Sequence, residues 1–153
     1  MKVDVEERVS RAVELMKSGH NCSQSVVAAF ADLYGLSEEL ALRVASSFGG
    51  GIGKMRLTCG AASGMFILAG LECGSVDAKD KAAKAHNYKV VQHLAAEFKA
   101  VTGSITCGEL LGLKPAYDAE GNRINCTKLP CVELVALASR IFAEYLNSPD
   151  AVE

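Results

Sequence analysis

Four of the six cysteines, Cys22, Cys59, Cys107 and Cys131, stand at the same kind of place in the chain. Asn21, Thr58 and Thr106 precede the first three, and each is a residue type whose side-chain oxygen caps the free amides of a helix's first turn. "NCSQ" and "TCGE" also have the capping-box form, with Gln24 and Glu109 placed to return a bond to the cap. Pro130 precedes Cys131, and proline is favoured in the first turn of a helix because its missing N–H has no partner there anyway. A helix N-terminus offers unpaired amides and about half a positive charge, which favours a thiolate over a thiol. A thiolate is both a nucleophile and a soft metal ligand. Four such N-termini brought together would therefore hold a soft metal centre or a disulfide-cycling pair. In the second case Cys59 is the candidate attacking residue and a neighbour resolves.

The elements that must position these thiols are helices. Over residues 3–17 the apolar Val5, Val9, Ala12, Val13 and Met16 recur at helical spacing until Gly19. The same period runs from Cys22 to Gly35, and Ser37 caps a third helix reaching about Phe48. "FGGGIGK" is too rich in glycine for a helix interior and reads as a loop, beyond which an apolar fourth helix starts at Cys59 with Thr58 as its cap. Gly60 and Gly64 lie four apart on that helix. Their missing side chains would clear space beside Cys59 for an inorganic group or allow another helix to pack closely. A long amphipathic helix is expected over 77–102, a short helical turn over 107–111, a polar loop without strands over 112–128, and a last helix over 130–146. One all-α domain over 1–153, a bundle of about six or seven helices, is the expectation.

Composition narrows the function classes. A formal charge of −2 and dispersed Lys and Arg residues give no basic field for nucleic acid. Residues 1–18 carry Asp4, Glu6, Glu7, Arg8 and Arg11, unlike a secretory signal, so a cytoplasmic location is expected. The apolar run 61–71 is far shorter than the about 20 residues of a membrane-spanning helix. In a reducing compartment six cysteines point to catalytic, redox or metal-binding roles rather than a disulfide framework. "FGGGIGKM" resembles a phosphate-binding loop but has Phe48 in place of the first glycine and Met55 in place of the hydroxyl residue. His86 and His93 are seven apart, too wide for a helical zinc pair, while His20, just before the Cys22 cap, is the better candidate for giving or taking a proton, against the alternative of a surface or core histidine. Cys73 reads as a packing residue at a helix end and Cys126 first as an incidental loop thiol, with a resolving cysteine or a replacement ligand as the alternatives. Lys54 and Arg56 read either as cations that offset the charge of a thiolate-bound centre or as an ordinary solvated pair.

The stretches "HNCSQSV", "CGAASG" after "GGGIGKM", "SITCGELLG" and "LPCVELV" resemble the four-cysteine pattern of the C_GCAxxG_C_C family of redox-active proteins, over nearly the whole chain. The resemblance implies a small bacterial or archaeal protein with an iron–sulfur or similar centre on Cys22, Cys59, Cys107 and Cys131. The pattern is also similar to the cluster-bearing region of split-Soret cytochromes, but no Cys-x-x-Cys-His stands here, so no c-type haem is expected. Three functions follow as expectations. The first is electron transfer or a redox accessory role through a four-thiolate iron–sulfur centre, with a redox partner protein. The second is a thiol–disulfide oxidoreductase using Cys59, and the third a structural zinc site or a helical partner-binding module. The apolar fourth helix adds the expectation of a homodimer.

Overall fold

The computed structural model describes residues 1–152; Glu153, the end of the expected domain, lies outside them. Seven α-helices occur among the described residues, as the sequence periodicity predicts. Asp4 accepts from the Glu7 amide and opens α1 (Val5–Lys17). The helix expected from Cys22 to Gly35 is instead α2 (Cys22–Ala28) followed by a 3-10 turn at Ala31–Tyr34. The break has a partner: Arg8 Nη1 donates to the Ala29 carbonyl at 3.0 Å. The third helix is likewise shorter than expected, α3 (Glu38–Ala45) leading into a 3-10 turn at Ser46–Phe48. Here the carbonyls of Ala45 and Ser46 accept from Ser23 Oγ at 2.5 Å and Asn21 Nδ2 at 3.0 Å, which ties the start of α2 to the end of α3.

Next come α4 (Gly60–Cys73) and α5 (Lys81–Thr102), the latter capped by Asp80 rather than starting near Asp77. α6 (Cys107–Leu110) precedes a short antiparallel ribbon, β1 (Ala116–Tyr117) and β2 (Arg123–Ile124), in the segment expected to be strand-free. The Asp118 carboxylate closes that hairpin by accepting from the amides of Glu120 and Asn122. α7 (Cys131–Asn147) ends the helical set, with Pro130 as its cap.

α4 is apolar all round, and this decides its place. It sits in the middle, against α2, α5 and α7, with Ala61, Ala62, Met65, Leu68 and Ala69 fully buried. α1 closes the bundle against α7 and α2. Phe30 meets Phe142 edge to face with centroids 5.1 Å apart, a pairing worth about 1 kcal/mol beyond its buried area. Arg8, 8% exposed, lies over the Phe30 ring and forks onto Asp32, so the one deeply buried cation is fully partnered among the described residues.

Candidate metal centre

Each of the four cysteines begins a helix, and the local chemistry differs at each. At Cys22 the capping box forms in full: Asn21 accepts from the Gln24 amide at 2.9 Å and the Gln24 side chain accepts from the Asn21 amide at 3.1 Å. At Cys59 the expected Thr58 cap is replaced by Cys59 itself, which is the last non-helical residue before α4. Thr58 is drawn away because residues 57–59 run extended beside 105–107, joined by an isolated antiparallel bridge between Thr58 and Thr106. The Cys59 amide donates to the Ile105 carbonyl and the Cys107 amide to the Leu57 carbonyl, both at 2.6 Å. Thr106 caps α6 in position but makes no side-chain cap bond, so the "TCGE" box does not form. Glu109 instead accepts from Ser104 Oγ at 2.6 Å, and Ser104 Oγ accepts from the Thr106 amide. The repeated Thr-Cys-Gly at 58–60 and 106–108 is the sequence signal that could have revealed this paired arrangement.

The glycine-rich loop supplies the other wall. Gly50, Gly51, Ile52, Gly53, Lys54 and Arg56 all have φ between 55° and 73°, a left-handed turn that includes three non-glycine residues. The turn is held by bonds from the Gly53 amide to Ser47, from Arg56 to Gly50 and from Leu57 to Gly51. Gly51 needs both its positive φ and its missing side chain, because a Cβ there would stand 2.6 Å from Cys107 Cβ. The turn sends Arg56 back over α6, where its Nη1 donates to Cys107 Sγ at 3.7 Å.

Together these elements bring Cys22, Cys59, Cys107 and Cys131 around one cavity of about 170 Å³, whose lining also includes Gly50, Arg56, Gly60, Met16, Leu110, Leu111 and Leu134. Cys59 is 5% and Cys107 9% exposed, Cys22 is half-buried and Cys131 exposed. Gly60 faces the cavity, and a Cβ on it would collide with Cys22 Sγ. Gly64 does not reach the cavity: its Cβ would stand 2.8 Å from Val26 Cβ, so it lets α2 and α4 approach. Lys54 and His20 are not among the lining residues. Cys73 ends α4 and donates to the Ala69 carbonyl at 3.3 Å, and Cys126 lies in a separate polar cavity beside Glu109 and Lys128.

At Cys59 and Cys131 burial works against a bare thiolate. Burial pushes the Cys59 thiol up to about 12, against the smaller lowering effect of the Ala62 and Ala61 amides, and charge on Cys22 or Cys107 adds to the rise. Cys131 is raised by burial and then by the same two neighbours, with Arg56 opposing. For Cys59 the direction is opposite to that expected from a helix N-terminus alone, because the sulfur loses more water than the dipole replaces. All six cysteines are free thiols. Among the described residues no group of three or more His, Cys, Asp or Glu side chains stands closely enough to hold a metal ion, and the four thiols share only the lining of one cavity.

No curated protein and no solved structure matches the chain. One family model does, over residues 20–145, and its description is "Putative redox-active protein (C_GCAxxG_C_C)". With all four cysteines inside the matched segment, the chain belongs to the C_GCAxxG_C_C family.

Proposed function

We propose that Cys22, Cys59, Cys107 and Cys131 ligate an iron–sulfur centre that carries single electrons to and from a partner protein. The observation that carries this reading is the meeting of four cysteines, as far as 109 positions apart (131 minus 22), around one small and mostly apolar cavity. The donor set is chemically apt, since thiolates are the usual ligands of such clusters. Gly60, with no side chain, lets Cys22 Sγ reach the cavity wall beside Cys59. When bound, a cluster supplies a one-electron couple.

The chain's own contributions follow from the geometry. Cys59 and Cys107 are set in a fixed relation by the backbone pairing of 57–59 with 105–107. Met16, Leu110 and Leu134 give the inner wall of the cavity an apolar surface that lowers the local dielectric, while the Leu111 side is open to solvent. Arg56 donates to a ligand sulfur and favours the more negative, reduced state. The raised Cys59 and Cys131 thiols need a compensating cation before they ionise, so ligation there releases protons. The same elevation weakens the case for Cys59 as an attacking thiolate at neutral pH.

Protein purified without oxygen tests the reading through its visible absorption and its iron and acid-labile sulfide content. Brown protein with iron and sulfide in similar amounts is the expected result. Colourless, iron-free protein with all four thiols open to titration overturns it.

A further inference from the structure

Resting on the metal-centre reading, we propose that Cys131 is the exchangeable ligand: a small external thiol can replace it while Cys22, Cys59 and Cys107 remain bound. The four cysteines are not equivalent. Cys59 and Cys107 are buried, and each has its amide tied to the other's strand by a 2.6 Å bond. Cys107 is backed by Gly51. Cys22 follows a complete capping box whose Asn21 is also bonded across to the Ser46 carbonyl, and its sulfur packs on Gly60. Movement of any of these three would disturb the pairing or packing that holds it.

Cys131 is held only through the start of its own helix, where the Glu133 and Leu134 amides donate to the Pro130 carbonyl. It is exposed, and residues 125–130 before it form no regular structure, tied by the bond from the Thr127 amide to the Thr102 carbonyl. α7 is anchored lower down, by the buried Leu134 and Val135. The Cys131 sulfur can therefore turn toward solvent by side-chain rotation while the helix stays in place. The vacated side of the cavity is bordered by Leu111, itself partly exposed, and by Arg56, whose cation suits an anionic sulfur donor. In the exchange the incoming thiol loses its proton and forms a sulfur–metal bond. The bond to Cys131 breaks, and Cys131 leaves as a thiolate that takes up a proton. No electron is transferred.

The test compares wild type, Cys131→Ala and Cys107→Ala after anaerobic reconstitution with ferrous iron and sulfide, with and without 2-mercaptoethanol, using far-UV circular dichroism to confirm folding. Cys131→Ser replaces Cys131→Ala if the latter does not fold. The expected result is that the Cys131 variant keeps most of its iron and sulfide and that 2-mercaptoethanol restores its visible spectrum to that of wild type. Cys107→Ala should lose iron by at least about tenfold, with no rescue. Equal loss in two folded variants, or no spectral response to the thiol, overturns the inference and leaves the metal centre standing. A wild type that takes up no iron removes the metal centre and this inference with it.

Discussion

Gly60 and Gly64 are one helical turn apart and serve different neighbours. A methyl on Gly60 would press on Cys22 Sγ and stand 2.9 Å from the Phe48 carbonyl, whereas a methyl on Gly64 would meet Val26. Both Gly→Ala changes overpack and should each cost about 1–3 kcal/mol in urea unfolding. Only Gly60→Ala should also lower the iron and sulfide content of the folded protein; an equal effect of Gly64→Ala would show that the cavity is not what Gly60 protects. Arg56 gives a second prediction. Its donation to Cys107 Sγ stabilises the reduced state, so Arg56→Ala should lower the midpoint potential by about 60 mV, near a tenfold change in the one-electron equilibrium, as read by redox titration. At this scale the sequence places four cysteines at helix starts, but of the three side-chain caps it suggests only the Asn21 box forms. It is silent on how a thiol titrates: Cys59 looks acidified by its helix and is in fact raised by burial, which depends on residues far along the chain.

The elements were legible in type and less so at their ends. α4 and α7 follow directly from apolar runs, but α2 and α3 each stop early because side chains from elsewhere take their terminal carbonyls, Arg8 at Ala29 and Asn21 at Ser46. The contact of 57–59 with 105–107 is non-local and leaves only the repeated Thr-Cys-Gly as a trace. The left-handed turn at 50–56 is the element most open to experiment. Lys54 is exposed, lies at φ 63° and does not line the cavity. Lys54→Gly should relieve the left-handed penalty, partly offset by a more flexible unfolded chain, for a net gain of roughly 0.5–1 kcal/mol. Lys54→Val should lose stability, since a branched side chain tolerates positive φ worse. Thermal unfolding distinguishes the two, and a loss on glycine substitution would refute the assignment of strain.

Across the whole molecule, Arg8 is the charged tie that joins α1 to the end of α2 and to Phe30. Its hydrogen bonds to Asp32 hold that carboxyl below the ordinary value. A carboxylate depressed in the folded state adds stability that is present above its unfolded value and is lost as pH falls through the folded one. Stability should therefore fall below about pH 4, and more shallowly in Asp32→Asn, when urea midpoints are compared from pH 7 downward. Among the described residues no helix is long and apolar enough to cross a membrane, and α4 buries its apolar side chains in the interior. The convergence of four distant helix starts on one cavity is a property of the assembled bundle that no single stretch of sequence carries. The central claim is that an iron–sulfur cluster with more than one iron sits among these four sulfurs, and X-ray absorption at the iron edge of anaerobically purified protein addresses it most directly. Sulfur as the only nearest neighbour, with a second iron beyond it, is the predicted spectrum. Oxygen or nitrogen neighbours, or iron with no iron partner, would contradict it.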